Sequence, residues 1–168
     1  MKKGICISIL VVLGVFAFSM NNMSGRAVSA QQELPPGNWS FSAHPFMGKG
    51  YESRPVLVTS VKNDVRGLSV TAVGVRDISS KPVKAVRFAW YLSNENDRSK
   101  ILNHGETPTT YVDGGLAIGE SKTIKLPIVS FVDIYKPLLR NKQLNGDYRV
   151  DIAAVEVIFD DQSKWTPK

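Results

Sequence analysis

VRDISSKPVKAVRFAWYLSN, residues 75–94, is the stretch whose reading decides the fold. As text it sets Arg76, Lys81, Lys84 and Arg87 beside Trp90 and Tyr91, the composition of a basic, aromatic binding strip. Strand parity redistributes them. Successive side chains of a strand point to opposite faces, so Val86, Phe88, Trp90 and Leu92 share one face of 83–92, and Arg87, Ala89 and Tyr91 the other. The apolar set is the core face. Lys84 has the core parity but stands at the start of the strand, where its long stem reaches solvent. Arg76 belongs to the preceding strand and Lys81 to the turn, which leaves Arg87 and Tyr91 facing outward, roughly 13 Å apart along the strand.

The same pattern runs outward from this hairpin in both directions. PVLVTSV (55–61) and LSVTAVGVR (68–76) precede it, separated by the turn-prone KNDVRG. ILNHGETP, TTYVDGG and LAIGESKTIKLPIV follow, punctuated by glycine-bearing turns. In YRVDIAAVEVIF (148–159), Val150, Ile152 and Ala154 share one parity while Val155, Val157 and Phe159 take the other. A bulge or twist near Ala153–Ala154 reconciles the two halves; the alternative is a central strand buried on both sides, which Arg149, Asp151 and Glu156 oppose. One segment has helical spacing instead: Phe131, Ile134, Tyr135 and Leu138 fall at i, i+3, i+4 and i+7. Ser130 and Asp133 fit an N-terminal cap, and Pro137, which has no amide to donate, predicts an end near Lys136.

The first thirty residues read differently. Lys2 and Lys3 precede a sixteen-residue apolar run, Ile5 to Met20, and small residues lead to AVSA at Ala30. This is the layout of a secretory signal peptide, with Gln31 the first mature residue. An uncleaved N-terminal membrane anchor is the alternative, although the run is shorter than a spanning helix needs. Cys6 precedes the apolar run rather than ending it, which argues against a lipoprotein. Removing 1–30 takes three basic residues and no acidic ones, leaving eighteen against fifteen, a net +3 in place of +6. That charge is ordinary for solubility and gives only weak support for nucleic acid or an anionic membrane as a partner; no nucleic-acid partner is expected. The only cysteine leaves as well, so no disulfide framework is available to the exported chain. The remaining length suits one domain.

Residues 31–54 form an arm rich in proline, glycine and aromatics: Trp39, Phe41, Phe46 and Tyr51. Trp39 and Phe41 alternate with serines, as on a short strand with one apolar face. Such an arm covers an edge of its own domain or serves as a ligand platform. Residues 55–168 are the predicted β-sandwich domain.

Three places resemble immunoglobulin-like and fibronectin-type-III-like domains of exported bacterial proteins. VRDISSKPVKAVRFAWYL is similar to a hairpin of two core strands with a buried tryptophan at Trp90. LAIGESKTIKLP resembles the glycine–glutamate turn and edge strand of such modules, and LNGDYRVDI a tyrosine corner at Tyr148. The resemblance implies an all-β, antiparallel immunoglobulin-like sandwich with one short helical insertion at about 130–136. It implies no activity.

The chemistry-bearing residues add little to that. His44 and His104 have no histidine or cysteine at metal-ligand spacing, and the phosphate-loop, nucleophile-elbow and dinucleotide patterns are absent. MGKG at 47–50 lacks phosphate-loop spacing, and Asp160 and Asp161 lack calcium-loop spacing. No cofactor or metal is expected. The sequence therefore points to an exported, periplasmic or secreted, non-catalytic module that binds a protein or glycan or packs into an envelope assembly. Its candidate surface residues are Trp39, Phe41, Arg87 and Tyr91. The alternative is a small exported hydrolase or lyase with a dispersed site using His104 and Glu106.

Overall fold

Alternation of β-branched and polar residues becomes strand along most of the chain. The strands and the single helix are β1 (Trp39–Ser42), β2 (Val56–Asp64), β3 (Ser69–Asp77), β4 (Val83–Asn94), β5 (Asp97–Glu106), β6 (Thr110–Leu116), β7 (Ser121–Ser130), α1 (Val132–Arg140), β8 (Tyr148–Phe159) and β9 (Lys164–Trp165). This computed structural model describes residues 37–43, 51–64, 69–141 and 146–168, all of which lie in the compact unit Glu33–Lys168. The expectations for residues 1–30, for His44 and Phe46 and for MGKG fall outside the described residues.

The class is all-β. One sheet runs β1–β8–β4–β5, with β6 also on β4 and β9 also on β8; the other runs β2–β3–β7. Pairing is antiparallel throughout, apart from β1, which lies parallel to β8 with Trp39 opposite Tyr148 and Ser42 opposite Asp151. The inner faces of the two sheets share one core: Val56, Val73 and Val75 from one meet Phe88, Leu92 and Val150 from the other. Trp90 is 8% exposed within it, its ring edge-on to Phe131 at 5.2 Å and 85°. A methyl group on Gly105, the residue opposite Trp90, would lie 2.6 Å from the indole, so only glycine lets that ring lie against β5.

β4 obeys the parity read from its sequence, with one adjustment at its start. Val83 and Val86 both enter the core because the register slips between Val83 and Ala85, which takes Lys84 out of the alternation. β8 has its bulge later than the residue pattern suggests. Arg87 pairs with Glu156 and Phe88 with Ala154, so Val155 is the extra residue. Ala154 stays with the core, Val157 and Phe159 rejoin it, and Val155 turns to the opposite face. Both Ala153 and Val155 are small enough for either face, and their outward partners decide between them.

The helix also differs from expectation. Its first carbonyl acceptor is Phe131, to which Ile134 and Tyr135 donate at 3.1 and 2.9 Å, one residue after the cap that Ser130 suggested. It passes through Pro137 and ends at Arg140, with Asn141 N donating to Pro137 O at 3.0 Å. An interior proline costs about 3 kcal/mol. Stopping at Lys136 would leave Leu138 in water, and burying a leucine is worth about 1.5–3 kcal/mol. Leu138 joins the core while Pro137 lies on the exposed side, so burial of Leu138 offsets much of the proline's cost.

Two turns follow directly from sequence chemistry. Ala117 N donates to Glu120 Oε2 at 2.8 Å across a turn whose Gly119 has φ +77°, and that bond holds the Glu120 carboxyl below its usual value. Between β5 and β6, Pro108 cannot donate to β4, and Thr107 closes the gap. Its amide donates to Phe88 O at 2.8 Å, and its hydroxyl accepts from Phe88 N at 3.1 Å.

Tyr148 makes a contrast with Thr107. It is fully buried, but its hydroxyl has no hydrogen-bond partner among the described residues. Thr107→Val should strand the Phe88 amide and cost about 1–3 kcal/mol. Tyr148→Phe should leave stability unchanged or raise it, because it deletes an unsatisfied group. Urea denaturation of the two variants checks both, and a loss above about 1 kcal/mol for Tyr148→Phe would contradict this account.

Candidate functional site

The face of the six-stranded sheet that points away from the shared core carries the polar groups in cross-strand rows. Tyr91 on β4 is opposite Asp151 on β8 and His104 on β5. One pair further along, Ala89 is opposite Ala153 and Glu106. Two alanines side by side leave a shallow floor, and Tyr51, from the arm, lies on it. Tyr51, Ala89, Ala153 and Val155 form a second, smaller apolar cluster, flanked by Tyr91 and Trp165. The Tyr51 hydroxyl meets that of Tyr91 at 3.3 Å. Burial, then the hydrogen bond to Tyr91, raise the Tyr51 phenol above its ordinary value, so it stays a neutral hydrogen-bonding group.

Two ion networks border this centre. On one side Arg87 Nη1 lies 2.6 Å from Glu106 and Nη2 3.7 Å from Glu156, which Lys164 also approaches at 4.0 Å. On the other, Arg149 donates from Nε to Asp151 at 2.7 Å and from Nη1 to Glu95 at 3.3 Å, and Nη2 donates to Ser42. Glu95, in the β4–β5 turn, also accepts from Ser40 Oγ at 2.9 Å and Arg98 Nη2 at 3.1 Å. Through Ser40 and Ser42 this network clasps β1 to the sheet. Burial pushes the Glu95 carboxyl up, but the bonds from Ser40 and Arg98 and the charge of Arg149 outweigh it and hold it below its usual value.

The four surface candidates read from sequence fall in two places. Trp39 and Phe41 are half-buried on the core side, with Trp39 ring centroids 5.2 Å from Tyr148 and 6.4 Å from Tyr135, and Phe41 5.8 Å from Phe131. Arg87 and Tyr91 stand on the outer face. His104 and Glu106 both face outward from β5. Glu106 is taken up by Arg87, and exposed His104 lies beside Tyr91, with ring centroids 6.3 Å apart and planes at 34°.

Sequence reasoning passed over the roles of Tyr51, Glu95 and Arg149. The signal for Arg149 was its parity: Arg149, Asp151 and Ala153 alternate on β8 as Arg87, Ala89 and Tyr91 do on β4. Away from this face, a groove of about 230 Å³ opens between β6 and β7, lined by 110–113 and 122–125. Lys122 there donates to Gly115 O at 2.6 Å. Among the described residues no group of three or more His, Cys, Asp or Glu is placed to share a metal ion, and no helix is long and apolar enough to cross a membrane. Comparison with known proteins finds no family model that matches the chain and no curated protein that matches it.

The clasp has a pH signature. Glu95 titrates lower in the folded chain than its ordinary 4.5, so it contributes stability above that pH and loses it as the pH falls through the folded value. Glu95→Gln should flatten the acid limb of the stability curve below about pH 4.5. Arg149→Met, which leaves Asp151 buried without its cation, should cost about 3 kcal/mol at neutral pH. Thermal denaturation across pH 3–7 reads both; identical acid limbs for wild type and Glu95→Gln would refute the clasp's pH dependence.

Proposed function

We propose that the chain is an exported, non-catalytic binding module with an immunoglobulin-like sandwich fold, recognising a protein or glycan of the cell envelope or exterior through the outer face of its six-stranded sheet. The strand order supports the fold: β2–β3–β7 corresponds to strands A, B and E of such domains, and β9–β8–β4–β5 to G, F, C and C′. The lysine-flanked apolar run and AVSA at Ala30 support export.

The observation that carries the binding role is the Asp151–Tyr91–His104 row, with half-buried Tyr91 beside exposed His104 at its centre and ion pairs on both borders. A surface whose side chains are already held in place loses little entropy on binding. The groups of this row are solvated or paired, and they serve to orient a ligand rather than to move a proton.

Two measurements test the reading. The intact mass of the secreted protein should correspond to a start at Gln31. Secreted protein mixed with envelope fractions of the producing cells should be retained on them, and a Tyr91→Ala, Arg87→Ala double variant of unchanged fold should lose about ten-fold of that retention, roughly 1.4 kcal/mol of binding free energy. Equal retention of wild type and variant would remove the proposed surface.

A further inference from the structure

We propose that the ligand of the outer face is a neutral carbohydrate, stacked by one sugar ring on the Tyr91–His104 platform; this rests on the binding role proposed above and gives it a chemical class. Charge is the first argument. Around the Tyr91–His104 pair, Arg87, Arg98, Arg149 and Lys164 each lie within 4.0 Å of a carboxylate of Glu95, Glu106, Asp151 or Glu156. Among these eight described groups no cation is left over for an anionic ligand, and no carboxylate for a cationic one. A charged ligand would have to break a pair that already exists, at the cost of leaving its partner unmatched.

Apolar surface is the second argument. Protein interfaces are organised around buried aromatic or aliphatic anchors with charge excluded from their centre. The exposed large apolar side chains of the described residues, Ile78, Tyr111 and Ile118, lie elsewhere. Two are in turns, and Tyr111 sits opposite Ala85, six residues and about 20 Å along β4 from Tyr91. The platform has instead two rings, tilted by 34° with centroids 6.3 Å apart, inside a polar border.

What fits such a surface is a molecule with an apolar face the size of one ring and a polar, uncharged rim. A pyranose has that shape: axial C–H groups on one face and hydroxyls around the edge. The C–H face lies on the Tyr91 ring, whose orientation the Tyr51 hydroxyl holds at 3.3 Å. The hydroxyls meet the His104 imidazole, which can donate from one nitrogen and accept at the other, and the carboxylate oxygens of Glu106. Tyr51, packed over Ala89 and Ala153, walls the platform on one side.

The test uses the purified chain with cellohexaose, xylohexaose and chitohexaose as neutral probes and dextran sulfate as the anionic one. Binding is read by amide chemical-shift mapping and calorimetry. The expected result is that at least one neutral hexaose shifts the amides around Tyr91 and His104 and binds equally well when salt is raised, since no counterion is displaced. Tyr91→Ala and His104→Ala each weaken it about ten-fold, and Tyr111→Ala leaves it unchanged. His104 is exposed, so its variant tests the platform even if Tyr91→Ala does not fold. The proposal is overturned if no neutral probe shifts those amides, if only dextran sulfate binds, or if both platform variants bind like wild type. Envelope retention that still depends on Arg87 and Tyr91 while all neutral probes fail would sink the carbohydrate assignment and leave the binding surface standing.

Discussion

The long antiparallel pairing of β4 with β8 is the constraint on which the rest of the structure depends. From Val83 opposite Phe159 to Asn94 opposite Tyr148 it fixes which side chains of both strands face the second sheet. Because the strand period is two, a shift of one residue would exchange core and surface along the whole pair. One extra residue, Val155, absorbs the mismatch between the two halves of β8. Without that bulge either Val150 and Ile152 or Val157 and Phe159 would face water, a loss of several kcal/mol at about 1.5–3 kcal/mol for each large side chain. The position of the bulge therefore follows from the core on one side and from Tyr51 on the other.

The arm illustrates how one segment serves both faces of a sheet. Trp39 and Phe41 pack against the core side, beside Tyr148 and Phe131, while Tyr51 lies on the alanine floor of the outer side. Ser40 and Ser42, the polar members of the same short strand, meet Glu95 and Arg149. Each side chain of β1 is thus used, the apolar ones inward and the hydroxylated ones toward the ion network. The aromatic content of the arm is explained by packing at Trp39 and Phe41. Only Tyr51 brings it close to the candidate surface.

The outer face combines order with shallowness. Arg87, Arg149 and Lys164 are matched by carboxylates beside them, Tyr91 meets the Tyr51 hydroxyl and the His104 ring, and Tyr51 covers two alanines. That arrangement is what the proposed recognition of an uncharged ligand rests on. It also explains why the basic and aromatic residues of 75–94 mislead as text. Arg87 is committed to Glu106 and Glu156, Lys81 is paired with Asp161 at the end of the sheet, and Trp90 is inside.

The sequence by itself determined the features that depend on neighbours along the chain. The strand parity of β4, the burial of Trp90, the Gly119–Glu120 turn and the existence of a helix after β7 are all local, set by alternation, turn chemistry or 3.6-residue spacing. Tertiary structure decided whatever required two distant segments to meet. The bulge settled at Val155 rather than at Ala153–Ala154 because the register of β4 and the Tyr51 ring choose between residues that local pattern leaves equivalent. The helix ran past Pro137 and buried Leu138, a gain invisible to a rule about missing amides. The grouping of Tyr51, Tyr91 and His104 with Glu95 and Arg149 spans nearly a hundred residues of chain, and no periodicity records it. Parity can say that a side chain faces outward; only the pairing of strands can say what stands beside it.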